Sequence, residues 1–196
     1  MGKFRASPYL VVFDGQSLNL LPGPLSGGYP ATTMASFPGV PYVNVAIGST
    51  SWTDLYTTRV ARLHPHANGG LITILCMCGG TSDIVAGDDG GTVYADEVSY
   101  GNAARTAGFN YVIATTLTGW TGISAANETE RDWLNAYLVS DPSDAFDYTV
   151  DHAAHTSLDD PPTDTGFYDD IGLHWNAAGA AVAASLTVAA LQNIIV

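Results

Sequence analysis

The chain has 196 residues, of which 46% are hydrophobic and 13% charged, as is typical of one globular domain with a full hydrophobic core. Six basic residues oppose 19 acidic ones, so the formal net charge is -13. This charge repels a phosphate backbone, so we expect no nucleic acid partner, and it favours a neutral substrate over a polyanion. We expect residues 1–196 to form a single domain.

No run of about 18 uninterrupted apolar residues is present, so we expect no membrane span. The first five residues lead directly into the first predicted strand, and no secretory signal is visible, which is typical of a soluble chain. The sequence leaves the cellular compartment and the oligomeric state open.

Short runs of β-branched and aromatic residues alternate along the chain with segments of helical periodicity. Strands are predicted at residues 9–13, 42–47, 71–77, 111–116 and 146–150. Helices are predicted at 52–63, at 93–107, around 133–138 and from near 176 onward. This alternation implies parallel strands with right-handed crossovers, and hence an α/β fold: a three-layer α/β/α sandwich of flavodoxin-like type around a mostly parallel five-stranded sheet.

Each predicted helix has a face that is expected to be buried. On the last helix, the apolar residues expected to be buried are Val182, Leu186 and either Ala189 or Leu191. Trp133, Leu134, Tyr137 and Leu138 are expected to share one face of the helix before it.

Ser17 lies just beyond the first predicted strand, two residues after Gly15. Open α/β folds carry their chemistry at the carboxyl ends of the strands, so Ser17 is a candidate nucleophile, with a plain turn as the alternative interpretation. A serine hydroxyl needs an imidazole to take its proton and a carboxylate to orient that imidazole. Asp170 and His174 supply both groups near the other end of the chain.

Gly48 and Ser82 each follow a further predicted strand. The carboxyl ends of parallel strands meet at one edge of the sheet, so we expect both residues to lie beside Ser17.

These segments, taken in order, resemble the SGNH (GDSL-like) hydrolase family over nearly the whole chain. They are 15–18 (Gly-Gln-Ser-Leu), Gly48, 80–83 (Gly-Thr-Ser-Asp), and Asp170 with His174. The resemblance implies a catalytic triad of Ser17, His174 and Asp170. It also implies an oxyanion hole formed by the backbone amides of Ser17 and Gly48 together with Ser82. The implied activity is hydrolysis of a small acyl ester through a covalent acyl-enzyme.

The chain departs from the family pattern at three positions. Gln16 replaces the aspartate of many members and is similar to the Gly-Gln-Ser variant of carbohydrate O-acetylesterases, which favours an O-acetylated carbohydrate as substrate. Ser82 replaces an asparagine that donates to the oxyanion, so its hydroxyl either donates directly, donates through water, or leaves the enzyme slow. The family pattern has the acid three residues before the histidine, but Ile171 occupies that position here. Asp170 lies four residues before His174, and Asp169 is an alternative acid.

Asp83 also matches the family pattern, with a cap on backbone amides as its alternative role. An alternative function from a different class is a glycan-binding or accessory module that has lost catalytic activity. The residues at positions 82 and 171, Ser82 and Ile171, would then be substitutions that accompanied this loss. The substrate expected for the enzyme is a small-molecule or carbohydrate ester.

Metal-dependent hydrolysis is a further alternative, because His64 with His66 and His152 with His155 are ligand-type pairs. Such spacings are common by chance and no third ligand is specified, so we expect no metal and no cofactor. The two cysteines, at 76 and 78, fall at the end of the third predicted strand. In an extended chain they would lie about 7 Å apart, which is too far for a disulfide, so both are expected to be free.

Overall fold

The computed structural model describes residues 7–20, 28–67, 69–140, 143–159, 166–169 and 172–196. Five strands are present in this part of the chain: β1 (Tyr9–Gly15), β2 (Tyr42–Asn44), β3 (Ile72–Cys78), β4 (Tyr111–Thr115) and β5 (Tyr148–Val150). They form one sheet in the order β2-β1-β3-β4-β5, with every neighbouring pair parallel. The predicted α/β class and five-stranded sheet are confirmed.

The connections between strands contain the helices. They are α1 (Ser17–Leu20), α2 (Gly28–Met34), α3 (Trp52–Asp54), α4 (His64–Ala67), α5 (Thr81–Ala86), α6 (Gly90–Ala107), α7 (Ala125–Ser140), α8 (Thr156–Asp159) and α9 (Ala177–Leu191). A π-helical turn at Leu55–Arg59 and a 3-10 turn at Val60–Leu63 join α3 to α4. No helix within the described ranges is long and apolar enough to cross a membrane.

The helices form one layer on each side of the sheet. Helix α2 packs against α9, and α6 packs against α7. Consecutive residues of β1 show the two faces, because Phe13 contacts Tyr29 of α2 while Asp14 accepts a hydrogen bond from Tyr100 of α6. A parallel sheet covered on both sides needs strands that are apolar throughout, and residues 11–13 of β1 are fully buried.

Strand β2 is the edge strand next to β1 and is shorter than the predicted 42–47. Its hydrogen bonding to β1 nevertheless continues, because the Val45 N–H donates to the Phe13 carbonyl and the Ile47 N–H to the Gly15 carbonyl. The extended chain therefore delivers Gly48 to the edge of the sheet where β1 ends.

The prediction for the buried face of α9 is confirmed at Leu191 and only in part at Val182 and Leu186, which pack against the core but keep some exposure. Ala183, Thr187 and Leu191 are buried, whereas Val182 and Leu186 are only partly buried. The reason is close packing of small residues, as at Gly179, where a Cβ atom would lie 2.1 Å from the Phe167 carbonyl oxygen. The same kind of error occurs on α7, where Leu134 and Leu138 are buried but Trp133 is exposed.

Candidate active site

The nucleophile candidate lies where β1 meets α1. Gly15 has a φ of +126°, and a Cβ atom there would lie 2.1 Å from the Cys78 carbonyl oxygen, so only glycine fits. The Gln16 N–H donates to that same carbonyl, at 2.9 Å. Ser17 follows as the first residue of α1 and is held at the carboxyl edge of the sheet.

The base candidate, His174, lies in a tight loop before α9. The Asp169 N–H donates to the His174 carbonyl at 2.7 Å, and the Gly172 N–H donates to the Asp169 carbonyl at 2.8 Å. Two residues after His174, Asn176 caps α9 by accepting hydrogen bonds from the first helical N–H groups. Its neighbour Trp175 is buried, which anchors the loop to the core.

Three side chains form a continuous hydrogen-bonded chain. The Ser17 Oγ atom lies 3.1 Å from His174 Nε2, and His174 Nδ1 lies 3.1 Å from Asp169 Oδ2. The imidazole is 18% exposed, so substrate and water have access to it. This is the arrangement that converts a serine into a nucleophile: a base on the hydroxyl and a carboxylate on the far side of the base.

The acid candidate that the structure places beside His174 is Asp169. The sequence pattern favoured Asp170 with Asp169 as the alternative, and Asp170 lies outside the described residues. Partial burial alone would raise the pKa of Asp169, but hydrogen bonds from the backbone N–H groups of His174 and Leu173 and from the imidazole outweigh this, so the pKa is lowered. Asp169 is therefore ionised at neutral pH and suited to orient the imidazole.

The predicted oxyanion residues lie at neighbouring strand ends. Gly48 and Ser82 line one cavity of about 410 Å³. The Ser82 N–H is not free to bind an oxyanion, because it donates to Gln16 Oε1 at 3.1 Å. The Ser82 hydroxyl bonds to no described residue and is available as a donor.

Gln16 and Asp83 connect the loops around the nucleophile. Gln16 Nε2 donates to Asp83 Oδ2 at 2.5 Å, and the Trp52 N–H donates to Asp83 Oδ1 at 2.7 Å. Asp83 thus caps the start of α3, a helix distant in sequence, and joins the loops that follow β1, β2 and β3. We call Gln16, Asp83 and the Trp52 amide the brace.

The brace is buried, and this changes the acidity of its carboxyl group. Asp83 is 1% exposed, and burial raises its pKa to about 6, although the bonds from Trp52 and Gln16 oppose the rise. Glu97 of α6 is also 1% exposed, and burial together with the charge of Asp83 raises its pKa well above the usual value. Glu97 was not predicted as a site residue, although its place between Val93 and Tyr100 on one helix face indicates that it points inward.

A third buried carboxyl group, that of Asp14, holds the end of β1. Asp14 forms an ion pair with Arg62 and accepts hydrogen bonds from Tyr100 and from the Gly15 N–H. Asn19 in turn donates its side-chain amide to the Asp14 carbonyl. The backbone on both sides of Ser17 is therefore fixed by buried side chains.

The histidines considered as metal ligands are not grouped. His152 is fully buried, packs edge-on against Tyr29 and Trp175, and lies 3.2 Å from the Thr187 hydroxyl through Nε2. His155 accepts from the Ser157 N–H instead. In the described parts of the chain, no group of three or more His, Cys, Asp or Glu side chains is placed to hold a metal ion.

Solved structures share this fold. A lipolytic protein of the G-D-S-L family from Veillonella parvula is 19% identical with a TM-score of 0.73, over 94% of this chain and 98% of that one. A carbohydrate esterase family 3 protein from Talaromyces cellulolyticus is 15% identical with a TM-score of 0.72, over 95% and 97%. The psychrotrophic esterase EstA from Pseudoalteromonas sp. is 9% identical with a TM-score of 0.70, over 94% and 97%.

No family model and no curated protein matches the sequence. The similarity therefore lies in the fold, and this chain has the fold of the SGNH (GDSL-like) hydrolases. This confirms, at the level of architecture, the fold that the four sequence segments predicted.

Proposed function

We propose that this protein is a serine esterase that hydrolyses short-chain acyl esters, with O-acetyl groups on carbohydrate as the substrate class that Gln16 favours. The observation that carries the proposal is the hydrogen-bonded chain from Ser17 through His174 to Asp169. The solved structures with this fold add support, because they include a protein described as a carbohydrate esterase and another described as an esterase.

In the first half of the proposed reaction, the Ser17 oxygen attacks the ester carbonyl carbon while its proton passes to His174 Nε2. The carbonyl oxygen becomes negatively charged and accepts hydrogen bonds from the backbone amides of Ser17 and Gly48 and from the Ser82 hydroxyl. The bond to the alcohol then breaks, and the alkoxide leaves with the proton from His174.

In the second half, water gives a proton to His174 and attacks the acyl-enzyme carbonyl carbon, and the bond to Ser17 then breaks as His174 returns the proton to the Ser17 oxygen, which releases the carboxylic acid. Asp169 remains ionised throughout and stabilises the imidazolium. No cofactor takes part in these steps.

Hydrolysis of p-nitrophenyl acetate, butyrate and octanoate tests the proposal. Ser17→Ala and His174→Ala should each lower kcat by at least about 1000-fold, because each removes one member of the triad. Ser185→Ala and His64→Ala are matched controls on residues away from the site, and both should keep wild-type rates.

The proposed function fails if the folded wild type hydrolyses none of these esters, which is the outcome expected of a non-catalytic binding module. It also fails if Ser17→Ala remains active and chelators abolish activity, as metal-dependent hydrolysis requires. A steep fall in rate from acetate to octanoate would support the short-chain preference.

A further inference from the structure

The two backbone amides proposed as oxyanion donors come from segments that are far apart in sequence. The Ser17 N–H lies at the start of α1, and the Gly48 N–H follows the extended chain beyond β2. Donors of this kind are effective only when they are fixed at the right separation before the reaction begins. A side chain that links the two segments therefore sets the geometry of the oxyanion hole.

Asn44, the last residue of β2, makes this link. Its Nδ2 group donates to the Asn19 carbonyl in α1 at 2.8 Å, and its Oδ1 atom accepts from the Ala46 N–H at 3.2 Å. One side-chain amide thus binds, on one side, the helix that begins with Ser17 and, on the other, the segment that leads to Gly48.

Asn19 continues the link to the end of β1. This residue is 1% exposed, and its side-chain amide donates to the Asp14 carbonyl. Its own carbonyl is the acceptor for Asn44. Helix α1 is therefore tied through Asn19 to β1 on one side and to β2 on the other.

The segment between Asn44 and Gly48 is held in two directions. The N–H groups on either side of Ala46 donate to β1, as described above. Successive N–H groups of an extended chain point to opposite sides, so the Ala46 N–H points away from β1, and the described sheet has no further strand on that side. Asn44 accepts this N–H in a turn closed by its own side chain.

The backbone changes direction just after Gly48. Ser49 has a φ of +54° and is the one non-glycine residue within the described ranges with a positive φ. Such a conformation costs free energy and persists only where the surrounding structure holds it. The two bonds of Asn44 lie on the approach to this turn, so their loss allows the Gly48 N–H to shift.

We propose that Asn44 is a positioning residue of the esterase: by binding Asn19 and Ala46 together, it fixes the separation between the oxyanion donors of Ser17 and Gly48. The inference rests on the proposed function and adds a residue that acts through two backbone segments. Asn44 is exposed at the edge of the sheet, so water can replace its bonds when the side chain is removed. Its loss should therefore change the donor geometry more than the stability.

The first test is hydrolysis of p-nitrophenyl acetate by Asn44→Ala. Removing both bonds should lower kcat about 10- to 100-fold, the effect of a donor that is displaced rather than deleted. KM should change by less than about threefold, because the lost interaction serves the transition state. The pH at which kcat/KM is half maximal should not move, because Asn44 bonds to backbone groups and to no titratable side chain among the described residues.

A transition-state analogue measures the donors directly. A trifluoromethyl ketone adds to an activated serine and places its own negatively charged oxygen where the oxygen of the ester develops charge. Its inhibition constant should rise in Asn44→Ala by about the factor by which kcat/KM falls. A smaller fraction of folded protein would lower the apparent kcat and leave this inhibition constant unchanged, so the two causes are distinguished.

Asn110→Ala is the matched control. The Asn110 side chain accepts from the Thr73 N–H at 2.8 Å, and it joins two neighbouring strands at the opposite edge of the sheet, where the strands begin. Its removal should lower the thermal midpoint at least as much as Asn44→Ala does. It should nevertheless keep the wild-type kcat and inhibition constant.

Asn44→Asp separates the two bonds and serves if Asn44→Ala does not fold. The carboxylate still accepts from the Ala46 N–H but cannot donate to the Asn19 carbonyl. Both kcat and the affinity for the ketone should therefore fall by a factor between those of the wild type and of Asn44→Ala.

The outcomes separate the two proposals. If the wild type hydrolyses the ester through Ser17 and the Asn44 variants keep its kcat or its inhibition constant, the positioning role is wrong while the esterase stands. A raised KM with unchanged kcat would also overturn the role, because it would show that Asn44 contacts the substrate. If the folded wild type hydrolyses none of the p-nitrophenyl esters, the proposed function is wrong and the role of Asn44 falls with it.

Discussion

The two halves of the candidate active site are held in different ways. The serine half lies against the core, where Asp14, Gln16, Asn19 and Asp83 are each at most 2% exposed. Two of these side chains have partners distant in sequence, because Gln16 binds Asp83 and Asp14 binds Arg62. The acid–base half is a surface loop in which Asp169 and His174 are 34% and 18% exposed and bind mainly each other and the intervening backbone.

Because of this difference, substitutions in the two halves should affect stability and activity differently. A buried polar group that loses its partner costs free energy of folding, whereas a partly exposed group can turn to water. Substitutions in the serine half should therefore lower both stability and turnover. Substitutions in the acid–base loop should lower turnover alone.

The largest effect is expected when the carboxylate of the acid–base loop is neutralised. Asp169→Asn should lower kcat roughly 1000-fold or more, because the amide no longer holds the imidazole in the required tautomer or stabilises its charge. The thermal midpoint should change little. The adjacent substitution Asp170→Asn is the matched control, and a larger loss there than at Asp169 would give the role back to Asp170.

Removing the brace tests the serine half. Gln16→Ala deprives Asp83 of a donor and the Ser82 N–H of its acceptor, so kcat should fall about 10- to 100-fold. The free energy of unfolding should fall by about 1 to 3 kcal/mol as well, measured by urea denaturation. The exposed Gln192→Ala should alter neither, and a loss of activity at Gln16 with unchanged stability would contradict the comparison.

The pH dependence of stability reports on Asp83 directly. Its pKa rises from 3.8 in the unfolded chain to about 6 in the fold, so between these values the folded state binds the proton more tightly. Stability from this group is therefore greatest below about pH 4 and is lost as the pH rises to 6, by at most about 1.4 kcal/mol per pH unit.

Asp83→Asn removes this titration. The free energy of unfolding of the wild type minus that of the variant should fall between pH 4 and pH 6, as urea unfolding at several pH values would show. A difference that stays constant over this range, or rises, would contradict the burial of an ionisable Asp83.

The smallest expected effect on activity is at His152. It is fully buried, and burial lowers its pKa to about 3, so it is a neutral packing residue. His152→Phe retains a ring between Tyr29 and Trp175 and should change kcat by less than about twofold. Loss of activity in a folded His152→Phe variant would revive the interpretation of this histidine as a functional group.

Much of the fold could be predicted from the sequence, because buried parallel strands read as short apolar runs that end in glycine or aspartate. Those ends also led to Ser17, Gly48 and Ser82, since parallel strands bring them to one edge. The choice between Asp169 and Asp170 could not be made, because it depends on how the loop before α9 bonds to itself. Spacing along the chain does not contain that information.

Other features were missed because they depend on local backbone geometry and packing that residue spacing alone does not show. Asp54 and Arg59 form an ion pair at a spacing that no regular α-helix would pair, and only the π-helical turn aligns them. The most buried positions of α9 are mainly small residues, so the larger Val182 and Leu186, which were expected to be buried, pack only partly against the core. Glu97 looks like an ordinary helix residue until its neighbours on α6 are seen to be buried.

The central claim is that Ser17 is an activated nucleophile, and covalent labelling tests it most directly. A fluorophosphonate should add once to the folded wild type, with mass spectrometry locating the adduct on Ser17. Labelling should disappear in Ser17→Ala and slow by at least about 1000-fold in His174→Ala. A folded wild type that does not react, or an adduct that persists in Ser17→Ala, would contradict the account.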